Sequence, residues 1–483
     1  FDAHGNLFSM DNDGDYKGEK ERSLYITEGS MHGWRLNWQW LRMQDFIKIS
    51  GIPAYNPWME EELFLPDRET HAAYLTPTIG NFGPGPCGFT ANPGTALGIR
   101  FKGRFFMTNN KNEIRVFRFT EKGAYFSFEE EESIKGGSSN TGLAIGPDGA
   151  LYAASWNGSV FQFDLPKEER HPLRHQTQQI IALQSGGQSI SKLAAWLDHP
   201  DQRVRMKGQF ELVLRGEAGL AALTEALKAS TLLGKLHATW GIGMISRQNP
   251  KAIANLKSAW RDNEPEVRAQ AAKVTGELGI RSTLFSKELI AGLAHKSPRV
   301  QFFSAIALGN QKLKKAAPAL IELLANGGAS DAYLRHAAVM GLTGALSGSE
   351  LAKLANHESR SVRIGAVVAL RRQSSPEIRA FLKDHDELLL LEAARAIHDD
   401  QSIPDALSDL ARLLDRTELT NEALMRRVIN AAFRGDSISD LQLLVDYLRS
   451  GRGSTNLRRT ALASVLWWAQ PPVLDAVEGR YRK

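Results

Sequence analysis

Apolar residues in the C-terminal two-thirds of the chain follow the spacing of helices, and the helical segments themselves recur. Nine similar segments start between 28 and 35 residues apart. They start at Val204, Leu236, Val267, Val300, Leu334, Val362, Leu390, Met425 and Leu457. This period predicts a helical solenoid, in which each pair of helices buries its apolar face only against neighbouring pairs.

Arginine recurs at one point in many of these segments. In Val267-Arg268-Ala269, the guanidinium at the helix start can reach carbonyl oxygens or a carboxylate of the adjacent repeat. Turn and cap residues such as Asp201 and Asp331 come just before the segments. The pattern resembles HEAT-like repeats of the lyase type, and we interpret the arginines as structural rather than catalytic. Leu391-Glu392 replaces the Val-Arg pair, which predicts different local contacts there.

Residues 1–165 follow a different pattern, in which short apolar stretches alternate with turn signals. The turns include Gly146-Pro147-Asp148-Gly149 and Trp156-Asn157-Gly158. The predicted strands include residues 24–26, 104–107, 114–119, 150–154 and 160–163. Many short strands with regular turns are typical of a sandwich, a barrel or a propeller.

The two patterns meet near Leu165, and a chain of 483 residues is too long for one core. We predict a strand domain over residues 1–165, a linker over residues 166–185 and an α-helical solenoid of about nine repeats over residues 186–483. The predicted fold class is therefore a multidomain chain with a β part followed by an α part.

Charge and cysteine content restrict the partners and cofactors. Residues 1–165 carry 15 basic and 21 acidic side chains, whereas residues 166–483 carry 44 and 33. The basic solenoid has no long Lys/Arg run and no interleaved aromatics, so a protein partner is expected rather than nucleic acid. Cys87 is the only cysteine, which excludes intrachain disulfides and a Cys-x-x-Cys-His haem attachment. No apolar run reaches the roughly 18 residues that a membrane span needs.

Segments of the first third resemble a known family. Residues 12–40 resemble the acidic loop, strand and Gly-Trp segment of glucose/sorbosone dehydrogenase-like six-bladed propellers, and residues 86–106 and 146–163 are similar to further blades. A propeller followed by HEAT-like repeats resembles the PVC-type "membrane-bound dehydrogenase" proteins more specifically. These usually end in a c-type haem domain. The resemblance implies that this chain is a fragment: the C-terminal part of a six-bladed-type β-propeller with a HEAT-repeat solenoid, lacking the N-terminal blades and the haem domain.

The resemblance also implies an activity, the oxidation of a sugar or alcohol with electrons passed to haem. The cofactors it implies are calcium and pyrroloquinoline quinone, and the location it implies is the periplasm or cell envelope. Such chemistry needs a base for the hydroxyl proton, a cation that polarises the quinone, and basic side chains that bind the carboxylates of the cofactor.

Four acidic residues are candidate calcium ligands. Asp11, Asp13 and Asp15 alternate in one short loop and offer hard oxygen atoms, and Glu21 is a further candidate donor. The loop does not match an EF-hand, because Tyr16 takes the place of its glycine. The alternative interpretation is a polar turn held by Asx hydrogen bonds.

The remaining chemistry depends on a few isolated side chains. His32 is the candidate base, with His71 as a weaker choice, and a solvated loop histidine is the alternative interpretation. Arg35 and Arg115 are the candidate anchors for quinone carboxylates. Quinone-binding relatives carry an Arg-Asp step shortly before Gly-Pro-Asp-Gly, and this chain lacks it. Cys87 is expected to be a small buried apolar side chain.

Two functional hypotheses follow. The first is a fragment of a quinoprotein-like sugar or alcohol dehydrogenase, whose solenoid holds a c-type cytochrome domain or another partner. The second is a non-enzymatic propeller and HEAT scaffold that binds carbohydrate or protein. A basic solenoid that binds nucleic acid ranks last.

Overall fold

The structure is a computed structural model that describes residues 1–12, 16–35, 38, 55–82, 85–109, 111–435 and 437–482. The chain divides into two compact units. Unit 1 comprises Phe1–Gly14, Lys20–Gly29 and Thr78–Ala319, and unit 2 comprises Asp15–Glu19, Ser30–Pro77 and Leu320–Lys483. The predicted strand domain therefore contributes residues to both units.

The described strands all lie in unit 1 and form three antiparallel sheets, β1-β2-β3, β4-β5-β6-β7 and β8-β9-β10. Within the described residues these sheets do not close into a propeller. The strands are β1 Leu7–Asp11, β2 Glu21–Ile26, β3 Gly80–Phe82, β4 Phe89–Ala91, β5 Phe105–Thr108, β6 Glu113–Lys122, β7 Tyr125–Lys135, β8 Asn140–Ile145, β9 Leu151–Ser155 and β10 Val160–Phe163. The five strands predicted above are confirmed as β2, β5, β6, β9 and β10.

The predicted turn residues form the turns that connect β8 to β10. Gly149 has a φ of +80° and donates its N–H to the carbonyl oxygen of Gly146 at 2.9 Å. Gly158 has a φ of +87° and bonds in the same way to Ser155 at 3.0 Å. Glycine favours both positions because positive φ strains other residues. Each turn reverses the chain direction, so consecutive strands pair antiparallel as neighbours in the sheet.

In the hairpin of β6 and β7, the sequence predicted the first strand and missed the second. Its second strand contains an acidic run, which hides the alternation that marks a strand, and its register pairs Lys122 with Tyr125 across the turn. The apolar face packs inward: Phe106, Ile114, Val116 and Leu151 are fully buried in one cluster. Burial of these side chains stabilises the sheets by about 1.5–3 kcal/mol for each large residue.

The rest of the chain is helical, and three helices lie before the nine predicted segments begin at Val204. The described helices are α1 Pro57–Glu60, α2 Arg174–Ala182, α3 Ile190–Trp196, α4 Gln202–Leu214, α5 Gly216–Ala229, α6 Leu232–Gln248, α7 Pro265–Glu277, α8 Ser286–Gly292, α9 Pro298–Asn310, α10 Ala317–Gly327, α11 Ala332–Ala345, α12 Gly348–Ala352, α13 Arg360–Arg372, α14 Glu387–His398, α15 Leu407–Ala411, α16 Glu422–Arg434, α17 Ile438–Arg449 and α18 Thr455–Leu466. Helix α2 occupies much of the segment predicted as a linker.

All nine predicted segments lie in helices, namely α4, α6, α7, α9, α11, α13, α14, α16 and α18. In unit 1, α4, α6, α7 and α9 pack in succession, and in unit 2, α11, α13, α14, α16 and α18 do the same. The predicted caps also form, since Asp201 accepts the N–H of Arg203 at 3.0 Å and Asp331 accepts that of Tyr333 at 2.9 Å. Among the described residues, no helix has the length and apolar content that crossing a membrane requires.

The recurring arginines form an arginine ladder, with the same bond in five repeats. In each, the guanidinium donates to a carbonyl oxygen five to seven residues earlier, at 2.6–3.1 Å. The bonds join Arg205 to His199, Arg268 to Asp262, Arg335 to Gly328, Arg363 to His357 and Arg458 to Gly453. The structural interpretation is confirmed. Each of these bonds stabilises the loop of the arginine's own repeat. Arg363 also reaches the adjacent repeat as predicted, since its Nε donates to Oδ2 of Asp384 at 2.8 Å.

Candidate functional site

Unit 2 includes a piece of the N-terminal third, residues 55–77, which consists of helix α1 and turns and which we call the docked segment. The helices present six polar side chains to it, which we call the charged face: Tyr333, Arg371, Glu392, Arg395, Arg426 and Arg427. They come from α11, α13, α14 and α16. One helix of each successive repeat therefore contributes to the same surface, as expected of a solenoid.

One carboxylate accepts two consecutive backbone N–H groups of the docked segment. Glu392 accepts the N–H of Ala73 at Oε2 and the N–H of Tyr74 at Oε1, both at 3.0 Å. At the end of the segment, the Tyr333 hydroxyl donates to the carbonyl oxygen of Pro77 at 3.1 Å. Hydrogen bonds from neutral N–H groups to an ionised carboxylate are stronger than neutral pairs, so Glu392 fixes the course of the chain there.

Two tyrosines of the docked segment lie against arginines of the charged face. The Arg371 guanidinium lies 3.9 Å from the ring centre of Tyr74, and that of Arg426 lies 4.7 Å from the ring centre of Tyr55. Both tyrosines are buried. A desolvated cation over an aromatic ring contributes about 2 kcal/mol, so each tyrosine anchors the segment by its face as well as by its buried area.

Glu61 is the acidic anchor of the docked segment. Its Oε2 accepts from Nε of Arg395 at 2.9 Å, and its Oε1 accepts from Nη1 of Arg427 at 2.6 Å. The Tyr55 hydroxyl donates to the same Oε1 at 3.2 Å. Burial raises the pKa of Glu61, but Arg427 and Arg395 outweigh burial and hold this pKa below its ordinary value. Glu61 is therefore an anion between two cations at neutral pH.

The same ion network continues into the C-terminal part of unit 2. Arg427 binds both oxygens of Asp399 at 2.9 Å, and Asp399 lies 3.0 Å from Nδ1 of His398. Arg482 contacts Asp475 through Nε at 2.6 Å and donates to the carbonyl oxygen of His398 at 2.9 Å. These five side chains are buried. Since a buried charge is costly unless paired, each of them depends on the others.

Two carboxyl groups in this network have opposite pKa shifts. Burial raises the pKa of Asp399, but Arg427 and His398 outweigh it and hold the pKa far below its ordinary value. Burial and then the nearby Asp399 raise the pKa of Glu478 to about 7. The network therefore gains or loses a proton near neutral pH at Glu478 and not at Asp399.

One subset of the network has the composition of a metal site. Ligand atoms of His398, Asp399 and Glu478 lie within 4.8 Å of one another. However, Asp399 already binds Arg427 through both oxygens, and Arg482 contacts His398 and lies 3.3 Å from Glu478. Guanidinium groups thus occupy the place of a cation, so these residues do not fit a metal ion.

The candidate base and one candidate quinone anchor both lie in unit 2. Nδ1 of His32 lies 3.1 Å from the carbonyl oxygen of Thr76. Arg35 contacts Asp400 and lies 3.3 Å from Glu478, and only 13% of its side chain is exposed. The charge of Arg35 is already matched by carboxylates, so this residue does not fit an anchor for the acidic groups of pyrroloquinoline quinone.

The described calcium candidates lie at the end of the β1–β2 hairpin. Oδ1 of Asp11 accepts the N–H of Arg22 at 2.8 Å, and its Oδ2 accepts from the Arg22 Nε at 2.6 Å. Glu21 is buried and accepts the N–H of Gly85 at 3.3 Å. Because Arg22 occupies both oxygens, Asp11 does not fit a calcium ligand. Asp13 and Asp15 lie outside the described residues, and their role stays a prediction.

Three other candidates have ordinary surroundings. Arg115 lies in β6 with its guanidinium 6.0 Å from the ring centre of Phe82. His71 is buried in unit 2, where burial and then Arg335 lower its pKa to about 3 and make it a weak base. Cys87 was expected to be buried, and this expectation was wrong: it is exposed and its thiol contacts the carbonyl oxygen of Gly85 at 3.2 Å.

The residues of the charged face were not predicted from the sequence. The one available signal was Leu391-Glu392, where the Val-Arg pair of the earlier repeats is missing. Glu392 and Arg395 lie within a helix, where a charged residue usually points to solvent, yet both are buried. Both bind the docked segment: Glu392 accepts its backbone N–H groups and Arg395 donates to its Glu61.

Comparisons with known proteins agree with the helical part of this fold. Residues 262–343 match the family model of HEAT repeats. A search of curated proteins finds no match. The chain is similar to the solved structure of the Escherichia coli protein YibA, with 17% identity over 62% of this chain and 99% of that one and a TM-score of 0.32.

Two further solved structures are similar at the same level. One is the CpcE–CpcF complex of phycocyanin lyase from Nostoc sp., with 20% identity over 53% of this chain and 90% of that one and a TM-score of 0.24. The other is human deoxyhypusine hydroxylase, with 17% identity, coverage of 58% and 96%, and a TM-score of 0.24. The family match and the repeated helices identify the helical part of the chain as a HEAT-like solenoid.

Proposed function

We propose that this chain is a non-enzymatic scaffold whose HEAT-like solenoid holds a protein segment on its charged face. The observation that carries the proposal is Glu392, whose two oxygens accept the consecutive backbone N–H groups of Ala73 and Tyr74. Recognition of the backbone N–H groups gives affinity for the turn at Ala73 and Tyr74, and the anchors at Glu61 and Tyr74 add selectivity for side chains.

Electrostatics support a permanent rather than an incidental contact. Arg395 and Arg427 are 3% and 1% exposed, and their partner Glu61 comes from the docked segment. Without that segment, Arg395 would keep Glu392 and Arg427 would keep Asp399, but both cations would lose the carboxylate that they share. Removing one partner from a buried ion pair costs about 3–5 kcal/mol. A protein segment with an acidic side chain, a tyrosine and free backbone N–H groups is therefore the class of partner that this face accepts.

Amide hydrogen exchange of the whole chain tests the proposal. Glu392→Gln should leave the amides of Ala73 and Tyr74 with a weaker acceptor, because glutamine offers one neutral oxygen in place of two charged ones. We expect these two amides to exchange about tenfold faster, while amides of β5 and β6 keep their protection.

Glu377→Gln is the matched control, because Glu377 is an exposed glutamate of the same solenoid. It should not change exchange in the docked segment. Unchanged exchange at Ala73 and Tyr74 in the Glu392→Gln variant would show that the charged face does not hold the segment, and the proposal would fail.

The second candidate function is the dehydrogenase hypothesis, supported by the resemblance of residues 12–40 and by the Gly-Pro-Asp-Gly turn that forms as that family implies. In this hypothesis the chain is part of a quinoprotein-like propeller enzyme of the cell envelope. Calorimetric titration with calcium and then with pyrroloquinoline quinone tests it, on a chain extended to the full propeller. Binding of both ligands, lost for calcium in Asp13→Asn, would favour the enzyme over the scaffold.

A further inference from the structure

A cavity of about 300 Å³ lies within unit 1, between the β1–β2 hairpin and helices α7 and α9. Its walls include the buried apolar side chains of Phe303, Ile306 and Ala307, and the ring of Tyr25. Lys273 of α7 also lines it. This size and this mainly apolar lining with one basic group are typical of sites for small organic ligands.

Lys273 has no counter-ion in this cavity. It forms no ion pair with a residue in the part of the chain that the structure describes, and its nearest recorded contact is the ring of Phe303, 5.8 Å from its Nζ. The neighbouring carboxylates are already paired: Glu266 binds Arg299 through both oxygens, and Glu277 binds Arg247 at 2.6 Å.

The remaining acidic groups near Lys273 do not supply a counter-ion either. Asp2 accepts the backbone N–H groups of His4 and Asn6 at 2.9 and 2.8 Å. Glu28 lies at the exposed rim of the cavity and accepts from the Asn310 amide at 2.9 Å. Burial lowers the pKa of Lys273 below its ordinary value, and the nearby carboxylates offset this only in part. An anion in the cavity would remove this imbalance.

We propose that the cavity binds a small organic monocarboxylate with an apolar body, whose carboxylate pairs with Lys273 and whose hydrocarbon part packs on Phe303, Ile306 and Ala307. The proposal goes beyond the scaffold function and is independent of it, because every residue it uses lies in unit 1. A charged pair inside an apolar wall is stronger than in water, so the ligand needs both parts.

Calorimetry with three ligands that share one hydrocarbon tail tests the proposal on the whole chain. Octanoate, octan-1-ol and octylamine each have eight carbon atoms, and their head groups are anionic, neutral and cationic. We expect octanoate to bind at one site per chain, octan-1-ol to bind about tenfold more weakly, and octylamine to show no binding, where tenfold corresponds to roughly 1.4 kcal/mol.

Lys273→Met keeps the apolar stem and removes the charge, and it should weaken octanoate binding about tenfold without weakening octan-1-ol binding. Lys287→Met is the control, since Lys287 is exposed on α8. If Lys273→Met fails to fold, NMR of the parent chain with ¹³C-methylated lysines decides, because octanoate should shift the Lys273 signal. Equal affinity for octanoate and octan-1-ol, no octanoate binding, or an unshifted Lys273 signal would overturn the proposal.

Discussion

Arg299 binds Glu266 through two parallel bonds, from Nε to Oε2 at 2.6 Å and from Nη2 to Oε1 at 2.7 Å. The two residues begin helices α9 and α7, so the pair joins successive repeats of unit 1. Both side chains are largely buried, with 4% and 11% exposed. Arg299 thus differs from the arginines that bond within their own repeat, and it reaches the adjacent repeat as the sequence suggested.

Removal of one partner of this pair should be more damaging than removal of both. Arg299→Met leaves a buried carboxylate without its cation and should lower the free energy of unfolding by about 3–5 kcal/mol. The double variant Arg299→Met, Glu266→Met should recover a large part of that loss. Urea unfolding of the parent, both single variants and the double variant measures the coupling, and additive losses would contradict it.

The arginine ladder gives a smaller effect for each arginine. Arg268 donates through Nε to the carbonyl oxygen of Asp262 at 2.6 Å. Arg268→Ala should lower the free energy of unfolding by about 1–2 kcal/mol, because that carbonyl loses a charged donor. Arg261→Ala, an exposed arginine of the same repeat, should have almost no effect. An unchanged thermal unfolding midpoint in Arg268→Ala would contradict the structural role of the ladder.

Buried His237 should make the stability of the chain depend on pH. Its Nδ1 lies 2.7 Å from the amide oxygen of Gln209, and burial, with Arg205 nearby, lowers its pKa to about 3. The unfolded chain takes up this proton below a pH of about 6.5, whereas the folded chain does so only near pH 3. Stability therefore falls as the pH falls through this window.

The measurement is urea unfolding at pH 7.5 and pH 5 for the parent chain and for His237→Gln. The parent should lose about 2 kcal/mol more than the variant between these two values, since one pKa unit corresponds to roughly 1.36 kcal/mol. His175→Gln changes an exposed histidine and should behave like the parent. The same pH dependence in all three chains would rule out His237 as its source.

Glu61 should contribute strongly to the stability of unit 2. Glu61→Gln removes the negative charge between Arg395 and Arg427, which are both buried, and should lower the free energy of unfolding by about 3–5 kcal/mol. Glu60→Gln is the matched control, because Glu60 is the exposed glutamate directly before Glu61. Equal stability of the two variants would mean that Glu392 and Asp399 satisfy the two guanidinium groups without Glu61.

The sequence predicted those parts of the fold that depend on residues close together in the chain. The nine repeats could be predicted because helical segments recur at a regular spacing, and an apolar residue followed by arginine begins many of them. The turn at Gly149 was visible because glycine favours its positive φ. The strand Tyr125–Lys135 was missed, since its acidic run interrupts the alternation of apolar and polar residues that reveals a strand.

The candidate site could not be predicted in the same way, because its partners are far apart in the chain. Glu61 and Arg395 are separated by 334 positions, and each alone resembles a solvated surface charge. Arg35 was proposed as a cofactor anchor because its sequence neighbours offer no carboxylate partner, whereas the fold places it beside Asp400 and Glu478. The absence of the arginine at Leu391-Glu392 indicated that the contacts of this repeat differ, but nothing near it in the sequence identified the docked segment.

The hydrogen bonds of the arginine ladder have a consequence for how such a chain can evolve. Each of the five donors and its carbonyl acceptor belong to one repeat. Duplication or deletion of a whole repeat therefore leaves these five bonds intact, whereas it breaks bonds that join repeats, such as Arg299 to Glu266. The ladder itself does not restrict the number of repeats. The pairs that join repeats, and the positions that bind Glu61 and the backbone of Tyr74, restrict where in the solenoid such changes are tolerated.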